Sequence, residues 1–119
     1  MNIKQAKYIN NDRLINLYYG LCDGLNHIHD NNLAHRDLKP HNVLISNDGR
    51  IPILTDYGSM TDRSIEIKTS KICQEIQDWA AQNCSMFYKA PELFSPRVGI
   101  CIDEHADYWS LGCILYALM

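Results

Sequence analysis

Three residues close together carry groups that a phosphoryl transfer needs: Asp37, Lys39 and Asn42, in the run His35-Arg36-Asp37-Leu38-Lys39-Pro40-His41-Asn42. The reaction requires an alcohol held in line and its proton accepted, and one carboxylate, Asp37, can do both. Phosphates bring negative charge that must be offset where it shifts, and Lys39 sets a cation two residues from Asp37. Asn42 offers an amide oxygen to Mg²⁺, a hard cation that prefers oxygen ligands. Nineteen residues after Asp37, the triplet Asp56-Tyr57-Gly58 adds a second carboxylate.

Each of these has a plainer reading. An isolated Asp in a loop is commonly a turn or cap residue, and Asn42 and Asp56 are turn formers beside a hairpin. Lys39 alone reads as a solvated charge. His35 reads as a packed structural histidine. Asp107 suits the first turn of a helix through the helix dipole. Tyr8, Tyr18, Tyr19 and Trp109 are packing residues. Arg36, beside Asp37, suggests a partner for a phosphate on the segment that follows, although Thr61, Ser64, Thr69 and Ser70 mark no clear site.

Regular elements must hold these loops. Leu14, Leu17, Tyr18, Leu21, Leu25 and Ile28 recur at helical spacing, which predicts a helix over 12–30. Asn11 and Asp12 supply N-cap chemistry, and Asn31-Asn32 suits its end. Gly20 and Gly24 weaken such a helix, so a close neighbour is implied. Val43-Leu44-Ile45 and Ile51-Pro52-Ile53-Leu54 flank Asn47-Asp48-Gly49, a hairpin signal, with Pro52 on an edge strand. Residues 58–100 form a long polar connection with a short helix over 71–82. From Ala106 to Met119 the sequence is apolar on nearly every side, as in a helix at the centre of a larger protein.

The run 35–42 fits H-R-D-L-x-x-x-N, the catalytic loop of protein kinases, with the lysine of its serine/threonine form. Asp56-Tyr57-Gly58 resembles the kinase D-F-G triplet with Tyr for Phe. Ala90-Pro91-Glu92 and Asp107-x-Trp109-Ser110-Leu111-Gly112 follow in the kinase order. Gly58-Ser59-Met60, Gln77-Asp78-Trp79-Ala80-Ala81-Gln82 and Ile102-Asp103-Glu104 are similar to the Numb-associated kinase family, in particular to a myristoylated and palmitoylated Golgi member. The resemblance implies an α+β, protein-kinase-like fold: a partial C-terminal lobe, with the catalytic loop at 35–42, an activation segment at 56–92 and a truncated central helix at 106–119. It implies ATP and Mg²⁺ as cofactors and the hydroxyls of Ser or Thr in protein substrates as acceptors. Asp37, Lys39 and Ser85 become catalytic residues, Ser85 bonding Asp37 and Lys39. Lys39, Asn42 and Asp56 become nucleotide-binding residues, with Asn42 and Asp56 on the metal. Asp107 becomes an anchor for the backbone of the catalytic loop, and Tyr57 packs on His35 with a hydroxyl that needs a partner if buried.

The sequence contains no G-x-G-x-x-G and no V-A-I-K, the motifs that cover the phosphates and supply the strand lysine. The reading is therefore a kinase piece without its N-terminal lobe, inactive alone. The alternatives are a non-catalytic kinase-like protein acting by binding, a truncated gene product with no activity of its own, and a small-molecule phosphotransferase. The last lacks a peptide-binding activation segment, against Ala90-Pro91-Glu92. A net charge of −3 gives no field for nucleic acid. No apolar run reaches the roughly 18 residues of a membrane span. Five cysteines, an odd number with no C-x-x-C, suggest reduced thiols and a cytoplasmic protein, with Golgi or membrane association of a parent through a lipid anchor.

Overall fold

A computed structural model describes residues 2–5 and 10–119; Tyr8 lies outside them. The architecture is α+β. Helix α1 spans Asn11–Asp30, the short strand β1 Leu33–Ala34, and the hairpin strands β2 and β3 Val43–Ile45 and Pro52–Leu54. Strands β4 (Thr61–Asp62) and β5 (Ile65–Glu66), helices α2 (Ser70–Asn83) and α3 (Pro91–Phe94), strand β6 (Cys101–Ile102) and helix α4 (His105–Leu118) follow. Among the described residues, three antiparallel two-stranded sheets pair β1 with β4, β2 with β3 and β5 with β6.

The cap of α1 falls one residue earlier than its sequence suggests. Asn10, in extended backbone, accepts from the Arg13 N–H, so Asn11 and Asp12 lie inside the first turn. The helix ends at Asn31, and Asn32 turns the chain at φ 60°. Leu14, Leu17, Leu21 and Leu25 are buried, while Tyr18 and Ile28 are half-buried. Gly20 faces the hairpin so closely that a Cβ would meet Pro52 Cγ and Cδ at 2.7 Å. The same register sets Val43 opposite Leu54 and Ile45 opposite Pro52.

Residues 58–100 contain more order than their composition suggests. Strands of two residues carry no readable periodicity, and their partners lie far along the chain: Leu33 opposes Asp62 and Ile65 opposes Ile102. Helix α2 starts after Thr69, whose hydroxyl accepts from the Ile72 N–H.

The core has two parts. One joins Leu17, Leu21 and Leu25 to Leu38, Val43, Ile45 and Leu54. The other joins Ile67, Ile76, Ala80, Leu93 and Ile102. Helix α4 belongs to both, through Leu111 and Ile114 in the first and Ala106 in the second. Its inward face also carries the polar Asp107 and Ser110, whereas Tyr108, Trp109 and Tyr116 are exposed. Asp107 and Ser110 of this apolar helix thus point inward, where backbone groups need partners. Among the described residues no helix is long and apolar enough to cross a membrane.

Candidate active site

The loop that follows β1 is suspended from α4. Asp107, 1% exposed, accepts from the His35 N–H at 2.8 Å, the Arg36 N–H at 2.9 Å and His29 Nε2 at 2.9 Å. Burial pushes the Asp107 carboxyl up, but the bonds from His29 and the two loop N–H groups, with the nearby Arg36 cation, outweigh it and hold the group below its ordinary value. It is therefore the carboxylate that three donors require. His29 is a residue that sequence reasoning missed. It continues the stripe four residues after Leu25, and that spacing was the available signal.

His35 fixes the next joint. Its Nδ1 accepts from the Asp37 N–H at 3.1 Å, which leaves Nε2–H to donate to the Thr55 carbonyl at 3.0 Å. One imidazole so links the loop carrying Asp37 to the strand end before Asp56. Asn42 makes a second link: its carbonyl accepts from the Thr55 N–H and hydroxyl, at 2.9 and 3.1 Å.

At the centre, Asp37 Oδ1 accepts from the Ser85 hydroxyl at 2.8 Å and from the Ser85 N–H at 3.1 Å. Lys39 Nζ donates to the Ser85 hydroxyl at 2.8 Å and lies 3.8 Å from Asp37 Oδ2. Asn42 Nδ2 donates to the Asp37 carbonyl at 2.8 Å. Three residues from two distant parts of the chain, Ser85, Lys39 and Asn42, thus converge on Asp37. Because Ser85 occupies Oδ1, Oδ2 is the oxygen more open to an incoming hydroxyl. Cys84, next to Ser85, is pushed up to about 11 by burial first and by Asp37 second, so it stays a thiol and is no rival nucleophile at neutral pH.

Mg²⁺ needs oxygen donors with free lone pairs. Asn42 spends its N–H₂ on Asp37, and among the described residues its amide oxygen accepts no hydrogen bond. The Asp56 carboxylate is exposed and, among the described residues, accepts only the Gly58 N–H, at 3.4 Å. Both offer the oxygen chemistry that a hard cation takes, so the residues fit the ion. Asp56 adopts φ 61°, an unusual conformation for a residue with a Cβ. Tyr57 packs its ring edge-on against His35, centroids 6.0 Å apart, and its hydroxyl donates to the Leu54 carbonyl at 2.6 Å.

Arg36 is not a waiting phosphate site. It is buried, with Nε donating to the Thr61 hydroxyl, Nη1 to the Asp103 carbonyl, and Nη2 to the carbonyls of Asp62 and Arg63. Thr61, Asp62 and Arg63 of the segment, with Asp103 beyond it, supply the acceptors in place of the phosphate that the sequence suggests. Arg63 extends the clamp to Glu104 at 2.9 Å and to the His29 carbonyl at 3.3 Å. Arg63's hydrogen bond holds Glu104 down to about 2, well below the usual carboxylate range. Neither partner was legible, since a charge pair 41 residues apart leaves no local pattern.

The whole described site lies within a match to the protein kinase domain family over residues 1–119. The chain is 47% identical over 115 residues to serine/threonine-protein kinase 16 of Rattus norvegicus and 46% identical to that of Homo sapiens, covering 97% of this chain in each case. It is 40% identical over 86 residues to serine/threonine-protein kinase ENV7 of Saccharomyces cerevisiae, covering 72% of this chain and 23% of that protein. The chain spans about 37% of the length of the rat and human relatives.

Proposed function

We propose that this chain, which belongs to the protein kinase family, carries the phosphoryl-transfer and metal-binding loops of a serine/threonine protein kinase. In this reading, Asp37 Oδ2 takes the hydrogen bond of a substrate hydroxyl, aims the oxygen and accepts its proton. Ser85 holds Asp37 Oδ1 and so fixes the carboxylate's orientation. Lys39, steadied by Ser85, faces the transferred group with its cation. Asn42 and Asp56 hold Mg²⁺, which when bound offsets the charge of the ATP phosphates. The acceptors are Ser or Thr hydroxyls of protein substrates. A parent acting in the cytoplasm or on Golgi membranes accords with the resemblance of its activation segment.

The observation that carries this is the convergence of Ser85, Lys39 and Asn42 on Asp37 across 48 residues of sequence. A turn or cap role for Asp37 would need none of them. Catalysis in this reaction class is mostly positioning and electrostatics, and the set supplies both.

The test is a chimaera in which residues 1–119 replace the matching segment of the rat relative. Asp37→Asn keeps the shape but removes the base, so kcat should fall by roughly 10²-fold or more, with nucleotide affinity unchanged. Near-full turnover by the Asn variant overturns the assignment.

A further inference from the structure

Resting on that reading of Asp56 as a metal ligand, we propose that the Tyr57 hydroxyl is a positioning group that staples the metal loop in its ligating shape. Asp56 is a non-glycine residue at φ 61°, a conformation that persists only where its surroundings impose it. Its own side chain does not do so: the carboxylate is exposed, and its one hydrogen bond among the described residues, from the Gly58 N–H, is 3.4 Å long. The constraint must come from its two neighbours.

On the upstream side, Thr55 is fixed at three atoms. Its N–H and hydroxyl donate to the Asn42 carbonyl, and its carbonyl accepts from His35 Nε2. On the downstream side, Tyr57 has the edge contact with His35, an acceptor role for the Met60 N–H at 3.2 Å, and the hydroxyl bond to Leu54 at 2.6 Å. The last closes a ring over the two residues between, Thr55 and Asp56. It ties the residue after Asp56 to the strand that ends before it. A phenylalanine would keep the ring contact and lose the closure, so the hydroxyl adds a restraint that the aromatic ring alone does not give.

The experiment uses the 119-residue chain and Mn²⁺ as probe, with free Mn²⁺ counted by electron paramagnetic resonance, beside hydrogen exchange of the peptide covering 55–60. Tyr57→Phe is compared with Asp56→Ala and Asn42→Ala. One hydrogen bond at a part-exposed site corresponds to roughly a two- to tenfold change in the population of the held loop. Tyr57→Phe should therefore weaken Mn²⁺ binding by up to about that factor and speed exchange over 55–60. Asp56→Ala should remove the Mn²⁺ site. If Tyr57→Phe binds Mn²⁺ and exchanges like the parent while Asp56→Ala loses the site, the staple is refuted and the metal reading stands. If Asp56→Ala and Asn42→Ala both titrate like the parent, the metal reading fails and the staple with it.

Discussion

Replacing Asp107 by alanine should be among the most damaging single changes in the chain. The carboxylate is buried and serves three donors: the N–H groups of His35 and Arg36 and the imidazole N–H of His29, at 2.8–2.9 Å. Alanine leaves all three without an acceptor in a buried site. An orphaned buried donor costs about 1–3 kcal/mol, so a literal sum is roughly 3–9 kcal/mol. Relaxation and water entry reduce such sums, and removing one partner of a buried pair typically costs about 3–5 kcal/mol. Against a domain stability of about 5–15 kcal/mol this is a third or more. Asp107→Asn should lie between, because one amide oxygen can still serve one loop N–H while its N–H₂ faces another donor. The assay is urea unfolding followed by circular dichroism, with hydrogen exchange over 33–38 as the local readout. The reasoning is refuted if Asp107→Ala unfolds within about 0.5 kcal/mol of the parent, the range of an unremarkable surface change. The account also has a pH signature: the folded Asp107 titrates below its ordinary value, so its contribution is full above the unfolded pKa and fades as pH falls through the folded one.

Two further outcomes follow from packing and charge. Gly20→Ala should destabilise by about 1 kcal/mol or more, since a Cβ 2.7 Å from Pro52 outweighs the helix-propensity gain, whereas Gly112→Ala, whose new Cβ meets nothing within 4 Å beyond its own helix backbone, should stabilise by up to about 1 kcal/mol; thermal melts of both check the contrast. Glu104 is held at about 2 against an ordinary 4.5, so its pairing with Arg63 stabilises fully above pH 4.5 and is lost as pH falls toward 2; melting midpoints of the parent and Glu104→Gln should differ at pH 6 and converge near pH 2.

The chemistry was more legible in the sequence than the structure that holds it. The run 35–42 names its own residues, and α1 follows from leucines at helical spacing over 20 residues. Gly20 even announced a close neighbour, which is Pro52. What stayed hidden depends on contacts across the chain. The pairs β1–β4 and β5–β6 are too short to show a period. Arg36 drew a phosphate expectation because a sequence lists side chains, while three of its four acceptors are backbone carbonyls. His29 carries no motif of its own, and only the fold brings it to Asp107. The Tyr57 hydroxyl calls for a partner only if buried; the residue is exposed, yet loop geometry still brings its hydroxyl to the Leu54 carbonyl.

The measurement that tests the central claim most directly is phosphoamino-acid analysis of a protein substrate labelled by the chimaera from γ-labelled ATP, run beside its Asp37→Asn variant. The account predicts label on phosphoserine or phosphothreonine, as Lys39 in the catalytic loop implies, and its loss in the variant. Label found mainly on phosphotyrosine would contradict the acceptor class, and label that persists undiminished without the Asp37 carboxylate would contradict the site itself.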